Sequence, residues 1–367
     1  MVRAAVCHGV GAPLEIEELD LDPPGPREVQ VALAASGVCH SDLSVQNGSL
    51  PQPFPVVLGH EGAGVVERVG VEVTRVSPGD HVVISWVPQC GACFACMHDQ
   101  WELCEVGSAG LMTGGLLDGT SRFRRNDEPV FQMANAGTFA TSTIVPDIGV
   151  VKIDHEIPLT HAALIGCGVL TGFGAATNTA DIRRGDSVAV IGCGGVGLNV
   201  IQGAAHAGAE RIIAIDQVAA KLELAEVFGA TDTINASETD VTAVVPELTA
   251  GRGADVAFEV IGLPATLAQA LAITRRGGQT VAVGVPKLGA TMELDPALDI
   301  VMMEKRLIGC WYGGSNVARD IPFLANLYRD GALKLDELIS KRIQLDEVNL
   351  AFTDMQAGAV ARSVIIY

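Results

Sequence analysis

Four of the nine cysteines in this 367-residue chain fall in one short run, Cys90, Cys93, Cys96 and Cys104. The pattern is C-x2-C-x2-C-x7-C. Four thiolates this close along a chain can surround one tetrahedral Zn²⁺ without help from distant residues. Unrelated buried thiols, a disulfide pair or an iron–sulfur cluster are the other chemistries such a run allows. A second set lies outside the run: Cys39 in Gly37-Val38-Cys39-His40-Ser41-Asp42, His60 in Gly59-His60-Glu61-Gly62, and Cys167 in Gly166-Cys167-Gly168. Two thiolates and one imidazole leave the fourth corner of a zinc tetrahedron open to water or substrate. Taken singly, a buried cysteine is usually inert core and a lone histidine a satisfied polar group. The four-cysteine run between them is what makes the metal reading worth pursuing.

A third motif points to a nucleotide. The apolar run Ser187-Val188-Ala189-Val190-Ile191 reads as a buried strand, and Gly192-Cys193-Gly194-Gly195-Val196-Gly197 follows it. Residues 198–207 then read as a helix. Glycines at these positions permit a tight turn and bring a pyrophosphate close to the helix N-terminus. A second apolar run, 211–215, ends at Asp216. An acid about 20 residues beyond the glycines accepts the ribose hydroxyls and repels a 2′-phosphate, which favours NAD over NADP.

The elements that must hold these residues fall into two patterns. Up to about residue 160 the chain consists of short strands, including 29–34, 64–69 and 81–84. Turn signals such as Pro23-Pro24-Gly25-Pro26 and Ser77-Pro78-Gly79-Asp80 separate them. That is the pattern of a β-rich, barrel-like domain. From about Gly168 strands alternate with helices: Val188, Ile212, Thr231, Asp255 and Gln279 each begin or enter a strand, and 218–228 reads as a helix. Such alternation builds a parallel sheet with crossover helices. Residues 107–135 show the least regularity and read as a surface loop at the substrate entrance. After Trp311 the chain reads as helical and closes on a strand at 362–367.

Composition narrows the function classes. Apolar residues make up 49% of the chain, too many for a disordered protein, and a net charge of −19 argues against nucleic acid or an anionic membrane as partner. No uninterrupted apolar stretch long enough to span a membrane is evident, and the first residues read as a strand and not as a signal peptide. Cys7, Cys193 and Cys310, the three cysteines outside the metal sets, form no paired framework, as expected in a reducing cytoplasm.

Together these motifs resemble the zinc-dependent medium-chain alcohol dehydrogenases over essentially the whole chain. Val283-Gly284-Val285-Pro286 fits the same family, and Asp118-Gly119-Thr120-Ser121-Arg122-Phe123 looks like the segment after the zinc lobe in its longer, class III-like and aryl-alcohol members. The resemblance implies a mixed α/β fold: a GroES-like catalytic domain over 1–168, a doubly wound Rossmann domain over 169–310, and a return to the catalytic domain over 311–367. The active site is then expected in the cleft between domains. Two zinc ions per subunit and NAD are implied. Zinc at Cys39, His60 and Cys167 would hold an alcohol oxygen and lower its pKa.

Other roles follow only from the resemblance. Ser41 would take the alcohol proton, Asp42 would orient His60, and Glu61 would act as a carboxylate near zinc, tuning it or serving as an alternative ligand. Thr171, Gly192, Gly194, Gly195, Val196, Gly197, Asp216, Lys221 and Val285 would line the dinucleotide, with His40 and Arg362 at its pyrophosphate. Many relatives have Arg at the His40 position, and imidazole grips phosphate less firmly than guanidinium. Many also carry a histidine at the Ser44 position, so the proton relay here is expected to be shorter. Trp86, Met133, Val285 and Trp311 would line the substrate pocket and favour primary alcohols, aromatic or allylic ones included.

A formaldehyde–thiol adduct, linked to glutathione or mycothiol, is an alternative substrate. Glutathione-linked relatives have an arginine soon after the fourth lobe cysteine, where this chain reads Glu105-Val106-Gly107-Ser108, although Arg122, Arg124 and Arg125 remain available. A non-catalytic binding protein on the same scaffold is the alternative from another class. A homodimer joined at sheet edges near 307–312 is implied, with a tetramer also open. The purified chain is expected to carry two zinc ions per subunit. Cys104→Ser should lose one and mainly lower stability, whereas Cys167→Ser should lose the other and with it turnover. Elemental analysis checks this, and one zinc or an iron cluster in the intact chain would overturn the assignment.

Overall fold

Apolar side chains at alternate positions along residues 28–34 already require a strand with one face on a core, and the computed structural model has that strand at Glu28–Val38. The structure describes residues 1–358 and 361–367. It divides into two compact units, Met1–Gly168 with Asn316–Tyr367, and Val169–Ser315.

In the first unit Glu28–Val38 is the organising strand. It pairs with Glu61–Val69 on one side and Arg362–Ile366 on the other, and Ser142–Pro146 pairs along its first half. His81–Ile84 and Val150–Lys152 extend this sheet at one end, and Ile339–Ile343 at the other. A closed barrel, formed by Val2–Cys7, Leu14–Leu21, Phe123–Arg125, Glu128–Gln132 and Val56–Val57, completes the unit. Residues 107–135, expected as an irregular loop, are therefore partly built in. They hold the helix Glu105–Ala109 at their start and a hairpin that turns at Asn126 and Asp127, both with positive φ. Phe123 and Val130 anchor that hairpin in a core with Val6, Leu19 and Val57. Asn-Asp is a suitable pair for a two-residue hairpin turn, and this signal was available in the sequence.

The second unit is a six-stranded parallel sheet. Its order is Asp232–Asn235, Arg211–Asp216, Ser187–Ile191, Ala254–Glu259, Thr274–Ala282, Arg306–Gly309, or 3-2-1-4-5-6 in chain order. This is the doubly wound dinucleotide-binding arrangement. Ser187–Ile191 is buried along nearly its whole length, as a central parallel strand must be. The chain leaves this unit at Ser315 and not at 310, because Tyr312–Gly314 packs on it: Asn178 Nδ2 donates to Gly313 O at 3.2 Å. Among the described residues one helical run, Leu159–Thr179, is long and apolar enough to cross a membrane, but 83% of its apolar window is buried in the protein. Those apolar side chains are core contacts.

The fingerprint turn is held from both ends. Gly192 has φ +101° and opens the turn, and a Cβ on Gly197 would lie 1.8 Å from Gly192 O. A Cβ on Gly194, by contrast, would meet nothing within 4 Å, so the N-terminus of the helix Gly195–Ala207 is open to an incoming group. Asp216, at the end of the neighbouring strand, accepts from Cys193 N at 2.9 Å through one oxygen. Its other oxygen accepts from Gln217 N at 2.8 Å and Val218 N at 3.0 Å. Lys221 and Val196 are half-buried nearby in sequence, Thr171 is half-buried, and Val285 is exposed.

Candidate active site

Cys39 follows the organising strand and is the N-cap of the helix His40–Gln46. His60 immediately precedes Glu61–Val69, which pairs with that strand. Cys167 arrives on the helical run, within the π-helical turn Ile165–Val169. Such turns often mark functional positions. The ligand atoms of Cys39, His60, Glu61 and Cys167 all lie within 4.8 Å of one another, and all four residues are buried.

One carboxylate organises two of these donors. Asp42 is fully buried and its Oδ2 accepts from Cys39 N at 2.8 Å. Its Oδ1 accepts from Gly59 N at 3.1 Å and lies 2.9 Å from His60 Nδ1. Asp42 therefore engages Nδ1 and leaves Nε2 as the donor atom for a metal. Burial is the largest single influence and opposes a charged imidazole, but the charge and hydrogen bond of Asp42 together with those of Cys39 raise the His60 pKa well above its usual value.

Glu61 stands on the other side. Oε1 accepts from Gly168 N at 3.2 Å and forms an ion pair with Arg362 Nη1, also at 3.2 Å. Oε2 is buried and has no hydrogen-bond partner among the described residues. Burial lifts the Glu61 carboxyl to about 7, against the pull of Arg362. Arg362, expected at a pyrophosphate, is buried and serves as the counter-ion of Glu61, and it also donates to Val38 O at 3.3 Å. Its fork is shaped for a carboxylate, and Glu61 is the nearest one. Two glycines clear the space for this pair. A Cβ on Gly37 would fall 2.0 Å from Glu61 Oε2, and one on Gly168 would fall 1.9 Å from Arg362 Nη2.

This donor set fits zinc. Two buried sulfurs, an imidazole nitrogen and a carboxylate oxygen with no other partner converge on one point. The thiol of Cys167 hydrogen-bonds to Cys39, and that bond, with Arg362 and His60, holds the Cys39 pKa well below the thiol range despite burial. Cys167 is pushed the other way, chiefly by the same bond and by burial. A divalent cation would stabilise both as thiolates.

Cys90, Cys93, Cys96 and Cys104 also have their ligand atoms within 4.8 Å of one another, and all nine cysteines are free. Cys93 caps the short helix Phe94–Met97, and Cys104 caps Glu105–Ala109. Backbone N–H groups point at the sulfurs: Cys93 N to Cys90 Sγ at 3.3 Å, Cys90 N to Cys104 Sγ at 3.3 Å, and Gly107 N to Cys104 Sγ at 3.4 Å. Such bonds, the first from Cys96 N, lower the Cys93 thiol to about 6, whereas burial pushes Cys96 up to about 12. Four sulfurs leave no open corner, which suits a structural ion.

The expected pocket residues divide between the units. Trp86 sits beside the donors, its ring edge-on to His60 with centroids 6.2 Å apart. Met133 is 5% exposed and packs in the core against which Trp86 also lies, so its role is core packing more than an exposed loop wall. Leu50, Phe54, Leu111 and Phe131 pack against the same core and were not anticipated; only the fold gathers them there. Trp311 and Val285 belong to the second unit and are 38% and 55% exposed. Ser41 Oγ is 3.8 Å from Cys39 Sγ, while His40 is exposed.

Comparisons with known proteins identify the family. Residues 25–155 match the model of the alcohol dehydrogenase GroES-like domain, and residues 195–326 that of the zinc-binding dehydrogenases. An NDMA-dependent alcohol dehydrogenase of Amycolatopsis methanolica is 43% identical over 100% of this chain and 98% of its own length. An S-(hydroxymethyl)glutathione dehydrogenase of a Synechocystis species is 42% identical, covering 100% and 99%. The crystal structure of benzyl alcohol dehydrogenase from Acinetobacter calcoaceticus superposes with a TM-score of 0.94 at 33% identity, covering 100% and 99%. The chain belongs to the zinc-dependent medium-chain alcohol dehydrogenase family, in its class III-like part, and is an oxidoreductase.

Gly168→Ala should displace the Arg362 guanidinium and leave Glu61 buried without its counter-ion. Losing one partner of a buried pair costs about 3–5 kcal/mol. Denaturant unfolding of Gly168→Ala should show a loss of that order. An unchanged midpoint would mean that the guanidinium has another place to go.

Proposed function

We propose that this chain is an NAD-dependent dehydrogenase of primary alcohols, aromatic ones included, which it converts reversibly to aldehydes. The convergence of Cys39, His60 and Cys167 beside the Trp86 ring is the observation that carries this reading. When bound, zinc supplies a Lewis acid for the substrate oxygen and NAD a two-electron acceptor for the carbon-bound hydrogen. Cys39, His60 and Cys167 would hold the zinc, with Glu61 Oε2 within reach, and the four lobe cysteines would hold a second, structural ion. Asp42 fixes the His60 ring, so the donor set does not have to reorganise during turnover. Trp86, edge-on to His60, supplies an apolar wall that suits a flat ring. The benzyl alcohol dehydrogenase neighbour supports the same substrate class.

Ser41 Oγ takes the proton of the substrate hydroxyl and passes it toward solvent. Ser44 cannot act as the terminal base near neutral pH, which keeps the relay short. Gly194 leaves room for the pyrophosphate at the N-terminus of Gly195–Ala207, and the fixed Asp216 carboxylate would meet the adenosine ribose. The exposed edge strand Arg306–Gly309, with Leu307, Val301 and Met302 exposed on or near it, supports a homodimer. A cytoplasmic location fits the free cysteines.

The formaldehyde–thiol reading retains the support of the glutathione-linked relatives, but its local support is weaker. Arg122 is paired with Glu28 at 2.5 Å and Asp118 at 2.7 Å, Arg124 with Asp22 at 2.9 Å, and Arg125 with Glu17 at 3.3 Å. All three are already paired with carboxylates, which weakens the local case for an anionic thiol.

A panel of alcohols and aldehydes, run with and without glutathione or mycothiol and with NAD or NDMA as acceptor, tests the proposal. Benzyl alcohol oxidation with NAD and without thiol is expected. A strict need for thiol would favour the second reading, and activity with NDMA alone would displace exchangeable NAD. Ser41→Ala should lower turnover by a factor on the order of 10² through lost proton transfer, with little change in zinc content. Asp216→Ser should weaken NAD and let NADP compete, as steady-state kinetics with both cofactors would show.

A further inference from the structure

We infer that Tyr367 is a positioning residue for the metal site, acting through its hydroxyl on the backbone that carries His60. The inference rests on the zinc reading of Cys39, His60 and Cys167, but it concerns a residue that no motif singles out.

The path is continuous and lies within the first unit. Tyr367 Oη donates to Thr138 O at 2.5 Å. Thr138 N donates to Gly59 O at 2.9 Å, and Phe139 N to Leu58 O at 2.9 Å. Gly59 N donates to Asp42 Oδ1 at 3.1 Å, and that same oxygen lies 2.9 Å from His60 Nδ1. Asp42 Oδ2 holds Cys39 N at 2.8 Å. Residues 58–59 are thus clamped between residues 138–139 on one side and Asp42 on the other.

The clamp has no slack. Gly59 has φ +89°, and a Cβ there would lie 2.6 Å from both Phe139 N and Thr138 Oγ1. Thr138 Oγ1 is itself 2.7 Å from Ser36 Oγ. Tyr367 is placed by the strand Arg362–Ile366, whose register is fixed against Glu28–Val38, and by its own N–H donating to Ala34 O at 3.2 Å. Burial, with Asp42 nearby, holds the Tyr367 phenol well above its ordinary pKa, so it stays a donor. The same strand carries Arg362 to Glu61 at its other end. One strand therefore supports the donor set twice, through a charge at one end and a hydroxyl at the other. Groups that orient a metal-ligating histidine change metal affinity by about 10–100-fold when removed.

The test is Tyr367→Phe, which keeps the ring and removes only the hydroxyl. With Co²⁺ in place of zinc, the absorption bands of the open site should shift. Chelator-driven metal loss from that site should accelerate about tenfold, at the lower end of the range for such supporting groups, while loss from the four-cysteine lobe stays at the wild-type rate. Asp42→Asn cuts the path at its near end and should shift the same bands. In the Asp42→Asn background, Tyr367→Phe should add little, because both act through one path. Unchanged bands and release rate in Tyr367→Phe, or equal acceleration at both sites, would overturn the inference and leave Tyr367 a packing residue. Full additivity in the double variant would do the same. A wild-type protein that binds no Co²⁺ at the open site would overturn the zinc reading itself, and its own spectrum shows this before any variant is made.

Discussion

Burying a charge costs several kcal/mol unless an opposite charge or a hydrogen bond is built in beside it. The first unit buries Cys39, Asp42, His60, Glu61, Cys167 and Arg362 around one point. Every other local choice follows from that burden. Asp42 balances His60, and Arg362 balances Glu61. Gly37 and Gly168 lack side chains because Glu61 and Arg362 occupy the space a Cβ would need. The two thiols and the free oxygen of Glu61 are left for a cation. Zinc fits this neighbourhood as the cation that completes its charge balance.

Much of this was legible in the sequence because metal donors are few in kind. Cysteine and histidine announce themselves, and Gly-x-Gly-x-x-Gly after an apolar run is close to self-identifying. The parallel sheet was legible for a related reason: central strands such as Ser187–Ile191 are continuous apolar runs, and these alternate with helical segments. The hairpin Phe123–Gln132 was not read, although Asn126-Asp127 marked its turn. Its strands are short and one carries two adjacent arginines, so the hydrophobic alternation is faint.

Arg362 shows a different limit. Sequence resemblance places a residue in a motif, but it does not show which buried carboxylate a guanidinium also meets. In the structure its partner is a buried carboxylate from a strand 301 positions earlier in the chain, at 3.2 Å. Tyr367, Thr138 and Gly59 are invisible for the same reason. Their link runs through backbone groups, and backbone hydrogen bonds have no residue signature. The return of the chain to the first unit was anticipated, but its start at Asn316 and not at 311 was not, because a glycine carbonyl at 313 still holds to the second unit.

The two metal sets differ in what they demand of the fold. The four lobe cysteines span 15 residues, and their supporting N–H groups come from the same loop. A metal there can organise its own surroundings. Cys39, His60 and Cys167 span 129 residues and meet only after a strand end, a strand start and a helical run have all been placed. A site assembled in this way cannot correct errors in its own geometry, since each donor is held by a different element. It needs an external frame, and Asp42, Arg362 and the strand that pairs with Glu28–Val38 are that frame. An open metal corner imposes this requirement: with only three protein ligands holding the ion, the rest of the geometry must be fixed by residues that never touch it.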